Sequence, residues 1–336
     1  MTTEDTKTSH VKTVTSEVEV KEQFIRMLRE KKQANQNALY LDEGAELYYS
    51  VPTTGSRAHA VALFDNHYPF LKKNLLKKGK RIALISVGCG NADPEKEPLE
   101  RMKADGYDVT YFAVDCSLAA LELAREKIKH IDIPKHFLCA DFGSRRFRDE
   151  IAELTKDHDI RVYAFFSATI GNLEPDYVAD VVTDLMQKGD YLWVDVSVRM
   201  GTTPLDDRKL YERYRDYNEM KEWRDFMFRP LEDLGIPADS GEFITEMSTK
   251  EELNALQFTF KFHATKKVKV TYRNQRITLL PGHEIALFNI ITFDPEGLIN
   301  FFVERDFTFV DSDVKPLGQF LFKYKGDEGN GKNKKK

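Results

Sequence analysis

The stretch RIALISVGCGNAD, residues 81–93, decides the architecture. An apolar run rich in β-branched residues stops at Gly88 and Gly90 and gives way to polar sequence. A strand ending in glycine leaves room for a tight turn or for close approach of another group. The same figure recurs in VTYFAVD (109–115), HFLCAD (136–141), VYAFFSA (162–168) and YLWVDVS (191–197). Helical patterns such as SLAALELAREKIKHI and PDYVADVVTDLMQK separate these runs. Alternating strands and helices predict an α/β fold with a parallel, doubly wound sheet. Ligands of such sheets bind beyond the carboxyl ends of the strands, where this sequence repeatedly places Gly, Asp, Ser and Asn.

The strand ends also narrow the ligand. Asp93 stands where a dinucleotide fingerprint needs its third glycine, so GxGxxG fails and a pyrophosphate is disfavoured. Asp115 ends the second strand 27 residues after Gly88, where a carboxylate can accept both hydroxyls of a ribose. Asp141 and Phe142 end the third strand and offer an acceptor and a ring to a purine. Ser117, just past the second strand, and Ser167, at the end of the fourth, join this group of cofactor candidates. The ordered set points to S-adenosylmethionine rather than NAD. A lone glycine turn or a lone strand-end Asp would say little, since both are common as turns and helix caps.

Composition bounds the rest. A chain of 336 residues with 41% hydrophobic content can bury one large core or two smaller ones. A net charge of -5 disfavours a phosphate-binding surface, so no nucleic-acid partner is expected. Cys89, Cys116 and Cys139 lie in apolar surroundings without CxxC spacing, as buried thiols in a reducing compartment would. No metal site is expected. No apolar run approaches a membrane span, and the first residues lack the apolar segment of a signal peptide, which predicts a cytoplasmic protein without a membrane partner. Residues 1–15 and the basic stretch 326–336 read as disordered tails.

The segment SATIGN, residues 167–172, carries the most specific resemblance. It is similar to the GSTIGN of the histidine-specific methyltransferases of ergothioneine biosynthesis, which also have GxG at the first strand. ALYLDEGAELYY (38–49) resembles the family's segment before the sheet, with Tyr40, Gly44, Leu47 and Tyr48 in register. RKLYERYRDYNEM (208–220) resembles its helix bearing A-Y-[ND]-D, which brings Tyr217 to a substrate-facing position. The resemblance covers roughly residues 38–325, including GLINFFVERDFTFVDSDV (297–314) followed by QFLFKYK (319–325), which resembles the helix-free strand pair that ends class I methyltransferases. It implies a class I methyltransferase, a Rossmann-like doubly wound sheet joined to a second α+β substrate-binding domain. The cofactor domain would comprise 61–196 plus 294–325, and the substrate domain 16–60 plus 197–293. It further implies S-adenosylmethionine as methyl donor and an α-amino acid as acceptor, with Asn172 holding the acceptor and Tyr40 and Tyr217 completing its orientation. Methyl transfer from a sulfonium is an in-line displacement, so positioning a neutral amine does most of the work and no strong base is needed.

Departures from the family pattern bear on the acceptor. TTGSR (53–57) stands where the family has Y-Y-P-T-R, leaving Thr54 in place of a tyrosine that closes over the substrate. The family's glutamate and serine that hold the imidazole have two possible counterparts. GEFITEMSTK (241–250) offers Glu246 and Ser248, whereas PGHEIALFNIITF (281–293) follows a hairpin-like KKVKVTYRNQRITLL and puts Phe288 and Ile290 there. The second alignment is favoured, and it makes histidine a poor acceptor because the ring nitrogens would lose partners at about 1–3 kcal/mol each. The expected activity is therefore N-methylation of an amino acid or small amine by a monomer. Histidine Nα-methylation, an NAD dehydrogenase and a non-catalytic adenosylmethionine-binding protein are the rivals.

Overall fold

A computed structural model describes residues 10–30, 36–51 and 56–326, without the side chains of 56–64. Its strands are β1 (Val11–Thr13), β2 (Arg81–Val87), β3 (Asp108–Asp115), β4 (Lys135–Cys139), β5 (Ile160–Phe165), β6 (Tyr191–Val198), β7 (Gly241–Lys250), β8 (Ala255–Ala264), β9 (Val268–Tyr272), β10 (Gln275–Leu279), β11 (Glu284–Phe293), β12 (Phe307–Asp313) and β13 (Leu317–Tyr324). The helices are α1 (Glu17–Arg29), α2 (Gly44–Ser50), α3 (Ser56–Asn74), α4 (Asp93–Ala104), α5 (Leu118–Ile128), α6 (Arg145–Thr155), α7 (Pro175–Leu185), α8 (Pro204–Asp216), α9 (Lys221–Asp233) and α10 (Pro295–Val303). Local sequence explains where several begin. Ser16 with Glu19, and Thr203 with Asp206 ahead of Pro204, close capping boxes at α1 and α8.

The sheet runs β1-β4-β3-β2-β5-β6-β11-β8-β7, with β13 added antiparallel to β6 and β12 antiparallel to β13. Strands β1 to β6 pair in parallel. Side chains alternate between two covered faces, as a parallel sheet requires. Ile85, Phe112 and Tyr163 join Phe147 of α6 and Val178 of α7 in one core. Leu84, Tyr111 and Trp193 join Leu99 of α4 and Leu121 of α5 in another. A further core belongs to the other half of the chain, where Phe24, Leu39, Tyr214, Phe226, Phe258 and Phe288 pack together.

Strand order reverses between β2 and β5, because the chain runs outward from β2 to β4 and then returns to β5 and β6. That switch point is where α/β sheets open a crevice. The crevice is widened by a change of neighbour along β6. Tyr191–Val194 of β6 pair with β5 on one edge, and residues 191–197 pair with β13 on the other. Ser197 and Val198 then pair in parallel with Thr292 and Phe293 of β11. Since β13 already holds the far edge at Ser197, β11 takes over the edge that β5 leaves at Phe165. The chain after Phe165 must turn out of the sheet to make room.

Two expectations need correction. The stretch 1–15 is not wholly a tail, because Val11–Thr13 form β1 on the edge of β4 and Thr15 is buried; residues 1–9 lie outside the described residues, as do 327–336. An edge strand of three residues is held through its backbone, so its polar composition hid it. The segment beginning GLINFFV, expected as a helix-free strand, starts with α10, capped by the Asp294 side chain accepting the Gly297 N–H at 2.8 Å. No helix among the described residues is long and apolar enough to cross a membrane.

Candidate active site

A cavity of about 300 Å³ opens at the switch point between the carboxyl ends of β2, β3 and β5 and the second half of the chain. Its first wall is the glycine loop. Gly90 has φ +54°, and a Cβ there would run into the Tyr49 hydroxyl, so only glycine fits beneath that ring. Its N–H donates to Oδ2 of Asp115 at 2.9 Å, and the Ser117 N–H donates to Oδ1 at 2.9 Å. A carboxylate has about four acceptor sites, so lone pairs remain on both oxygens for a vicinal diol. Burial raises the Asp115 pKa, and the amides of Ser117 and Gly90 oppose that shift. Gly88 and Phe142 line the same end, Phe142 meeting Phe165 edge-on at 5.9 Å. Glycines for close approach, an acid with spare lone pairs and a ring fit a nucleoside cofactor. Asp115→Ala should weaken cofactor binding about 10- to 150-fold, the equivalent of one hydrogen bond to a charged group. Calorimetry giving wild-type affinity would remove Asp115 from the site.

Two expected cofactor residues sit elsewhere. Ser117 is fully buried, and its hydroxyl accepts the Ala120 N–H as the cap of α5. Asp141 does not line the cavity, and its Oδ1 accepts the Gly143 N–H at 3.0 Å. Both obey the preference of Ser and Asp for local backbone bonds at strand-to-helix turns.

The second wall is the turn that follows β5. Ser167 and Ala168 both have positive φ, +55° and +58°, and a 3₁₀ turn Thr169–Asn172 follows. The Ala168 N–H donates to Asp195 Oδ1 at 2.7 Å, and the Thr169 hydroxyl donates to the Phe166 carbonyl at 2.6 Å. Gly171 lets the turn pack closely on β11, since a Cβ there would lie 3.2 Å from the carbonyl oxygen of Ile291. Asn172, with Ser167, thereby reaches the cavity. It does not cap α7, whose N-cap is Glu174 with Pro175 following.

The remaining walls are aromatic. Tyr40 ends the 3₁₀ turn Gln36–Tyr40 and meets Tyr48 of α2 edge-on at 5.3 Å. Tyr217 follows α8 and meets Trp223 at 5.5 Å, which in turn meets Phe288 at 5.3 Å. Ile290 completes this wall. Glu246 pairs across with Thr259 and Thr259 with Asn289, so the three share one face of the sheet. Phe288 and Ile290, either side of Asn289, occupy the other face and line the cavity, whereas Glu246 and Ser248 are exposed outside it. Thr54 lies outside the described residues.

Sequence reasoning missed Tyr49, Trp223 and Met220. Tyr49 was signalled only by its place beside Tyr48, and the other two resembled ordinary helix core. Burial raises the pKa of the Tyr40 phenol, and burial with the nearby Asp115 charge raises that of Tyr49, so both are donors rather than bases. Asp93 and Asp115 are the acidic side chains lining the cavity among the described residues. No cluster of three or more His, Cys, Asp or Glu that could hold a metal occurs among them.

No curated protein matches the chain. Among solved structures, an S-adenosylmethionine-dependent methyltransferase from Clostridium acetobutylicum is similar at 11% identity, covering 84% of this chain and 96% of that one with a TM-score of 0.42. The CcbJ methyltransferase from Streptomyces caelestis is similar at 12% identity, covering 86% and 99% with a TM-score of 0.43. The model of the family described as histidine-specific methyltransferase, S-adenosylmethionine-dependent, matches residues 20–322. With that match over a doubly wound sheet whose switch-point cavity suits a nucleoside, the chain belongs to the histidine-specific, S-adenosylmethionine-dependent methyltransferase family and is a class I methyltransferase using S-adenosylmethionine.

Proposed function

We propose that the enzyme N-methylates the amino group of an amino acid or small amine carrying an apolar or aromatic side group, and that histidine is not its acceptor. The observation carrying this reading is the wall of Phe288, Ile290, Trp223 and Met220 at the acceptor end of the cavity. Such a wall suits flat apolar groups. An imidazole there would bury nitrogens without partners. The histidine reading rests on the family's description alone.

S-adenosylmethionine, held by Gly88, Gly90, Asp115 and Phe142, supplies an electrophilic methyl group. Asn172 offers the acceptor amine a carbonyl oxygen, which orients its lone pair, and the neutral phenols of Tyr40 and Tyr217 donate to the acceptor's other polar groups. No Lys, Arg or His side chain lines the cavity among the described residues, and after transfer the proton leaves to solvent or to a nearby acceptor. In this reading residues 16–60 and 197–293 bind the acceptor, 61–196 and 294–325 bind the cofactor, and the enzyme works as a cytoplasmic monomer without nucleic acid or membrane.

The test is a mass-spectrometric screen of amino acids and biogenic amines with S-adenosylmethionine. Aryl and branched apolar amines should be methylated and histidine left unchanged. Phe288→Glu with Ile290→Ser should then lower the rate on the preferred acceptor at least about tenfold by burying unpaired polar groups. Efficient methylation of histidine by the wild type would overturn the acceptor assignment.

A further inference from the structure

Beneath the cavity lies a buried pair of side chains that touches neither cofactor nor acceptor space. Asp195 of β6 is fully buried and, besides accepting the Ala168 N–H at 2.7 Å, places Oδ2 3.5 Å from Nε2 of His67 on α3. His67 is also fully buried, stacked on Phe166 at 4.5 Å and edge-on to Trp193 at 5.1 Å. Its Nδ1 lies 3.2 Å from the carbonyl oxygen of Pro94. A carbonyl only accepts, so Nδ1 carries a proton. Nε2 and Oδ2 face each other across that 3.5 Å as a close polar contact without hydrogen-bond geometry.

The groups at the ends of this pair are the notable ones. Pro94 is the second residue of α4, just after the glycine loop, and Ala168 is the N-cap of the turn that ends in Asn172. Pro94 and Ala168 both line the cavity, while His67 and Asp195 do not. The turn also needs external support. Two successive non-glycine residues with positive φ are strained and persist only where surroundings over-determine them. The Asp195 carboxylate is placed to supply that support.

We propose that His67 and Asp195 are positioning residues which lock the Ser167–Asn172 turn to the glycine loop, keeping the acceptor site and the cofactor site at a set separation. The proposal rests on the acceptor-orienting role given to Asn172, so its test includes a measurement that needs no acceptor. Amide hydrogen exchange across residues 166–173 is followed in the full-length protein beside cofactor affinity and transfer rate. Asp195→Leu removes the acceptor of the Ala168 N–H, while Asp195→Asn keeps an acceptor oxygen. In Asp195→Leu, exchange in the turn should speed at least about tenfold, as loss of one buried hydrogen bond implies, with kcat falling more than KM rises. Asp195→Asn should recover most of both. Wild-type exchange in a folded Asp195→Leu protein, or equal damage in Asp195→Asn, would overturn the proposal. If Asp195→Leu does not fold, His67→Phe decides, since it keeps the stack and removes both ring nitrogens. Faster exchange in the turn of His67→Phe upholds the pair, and wild-type exchange sinks it. Faster exchange with an unaltered transfer rate upholds the hold on the turn and removes instead the role given to Asn172.

Discussion

Asn172→Ala is expected to lower methyl transfer about 100-fold while cofactor affinity stays within about threefold, because a displaced acceptor costs rate through geometry. The structure isolates this residue for such a test. Asn172 lines the cavity at the end of a turn that other groups hold, through Ala168 to Asp195, Thr169 to Phe166 and Gly171 against β11. Glu174, not Asn172, occupies the N-cap position of α7, so removing the amide leaves the helix start intact. Single-turnover rates beside calorimetry of cofactor binding provide the check. If rate and cofactor affinity fall together, Asn172 supports the fold and does not orient the acceptor.

Glu95→Gln is expected to change the pH dependence of stability more than any surface substitution. Glu95 lies in the first turn of α4, fully buried, with one carboxyl oxygen against the Ser86 hydroxyl and the other without a partner. Burial pushes its pKa up to about 8 from an ordinary 4.5, against the pull of the bonds to Ser86 and to its own backbone N–H. The folded protein therefore holds a proton here that the unfolded chain releases above about pH 4.5. The stability tied to that proton is fully present below about pH 4.5 and is lost as pH rises to about 8. Within that window the group contributes a slope approaching about 1.4 kcal/mol per pH unit. Glutamine imitates the protonated acid and cannot ionise, so the variant should lose this slope and exceed the wild type in stability near pH 8. Urea unfolding at several pH values reads the difference, and parallel curves for the two proteins would mean that Glu95 is not held neutral.

The sheet was legible because parallel strands buried on both faces have to be largely continuous apolar runs, and those at 82–85, 111–114 and 191–194 are unbroken. The strand-end residues Gly88, Gly90 and Asp115 were legible for a related reason, since a crevice at a parallel sheet needs small or polar residues at fixed places in the repeat. Ser117 and Asp141 carried the same signal, but their side chains serve neighbouring backbone amides. Sequence cannot distinguish a strand-end hydroxyl or carboxylate that caps a helix from one that faces a ligand, because both begin as the same turn. β1 and α10 were misread where backbone pairing or an Asp cap outweighed composition.

Sequence by itself determined the alternation of strands and helices, the glycine-rich first turn with its acid at the second strand, and the resemblance of SATIGN, because each is written in neighbouring residues. Only the tertiary structure decided which of two segments lines the cavity. Phe288 and Ile290 face the cavity while Glu246 and Ser248 lie outside it, a choice set by cross-strand register between β7, β8 and β11. The structure alone also decided why β5 stops at Phe165, since β11, more than a hundred residues later, takes the edge of β6 that β5 vacates. Register and edge sharing are made by hydrogen bonds between strands distant in the chain, and a slip of one residue would turn every side chain to the other face, so no local pattern could have announced them.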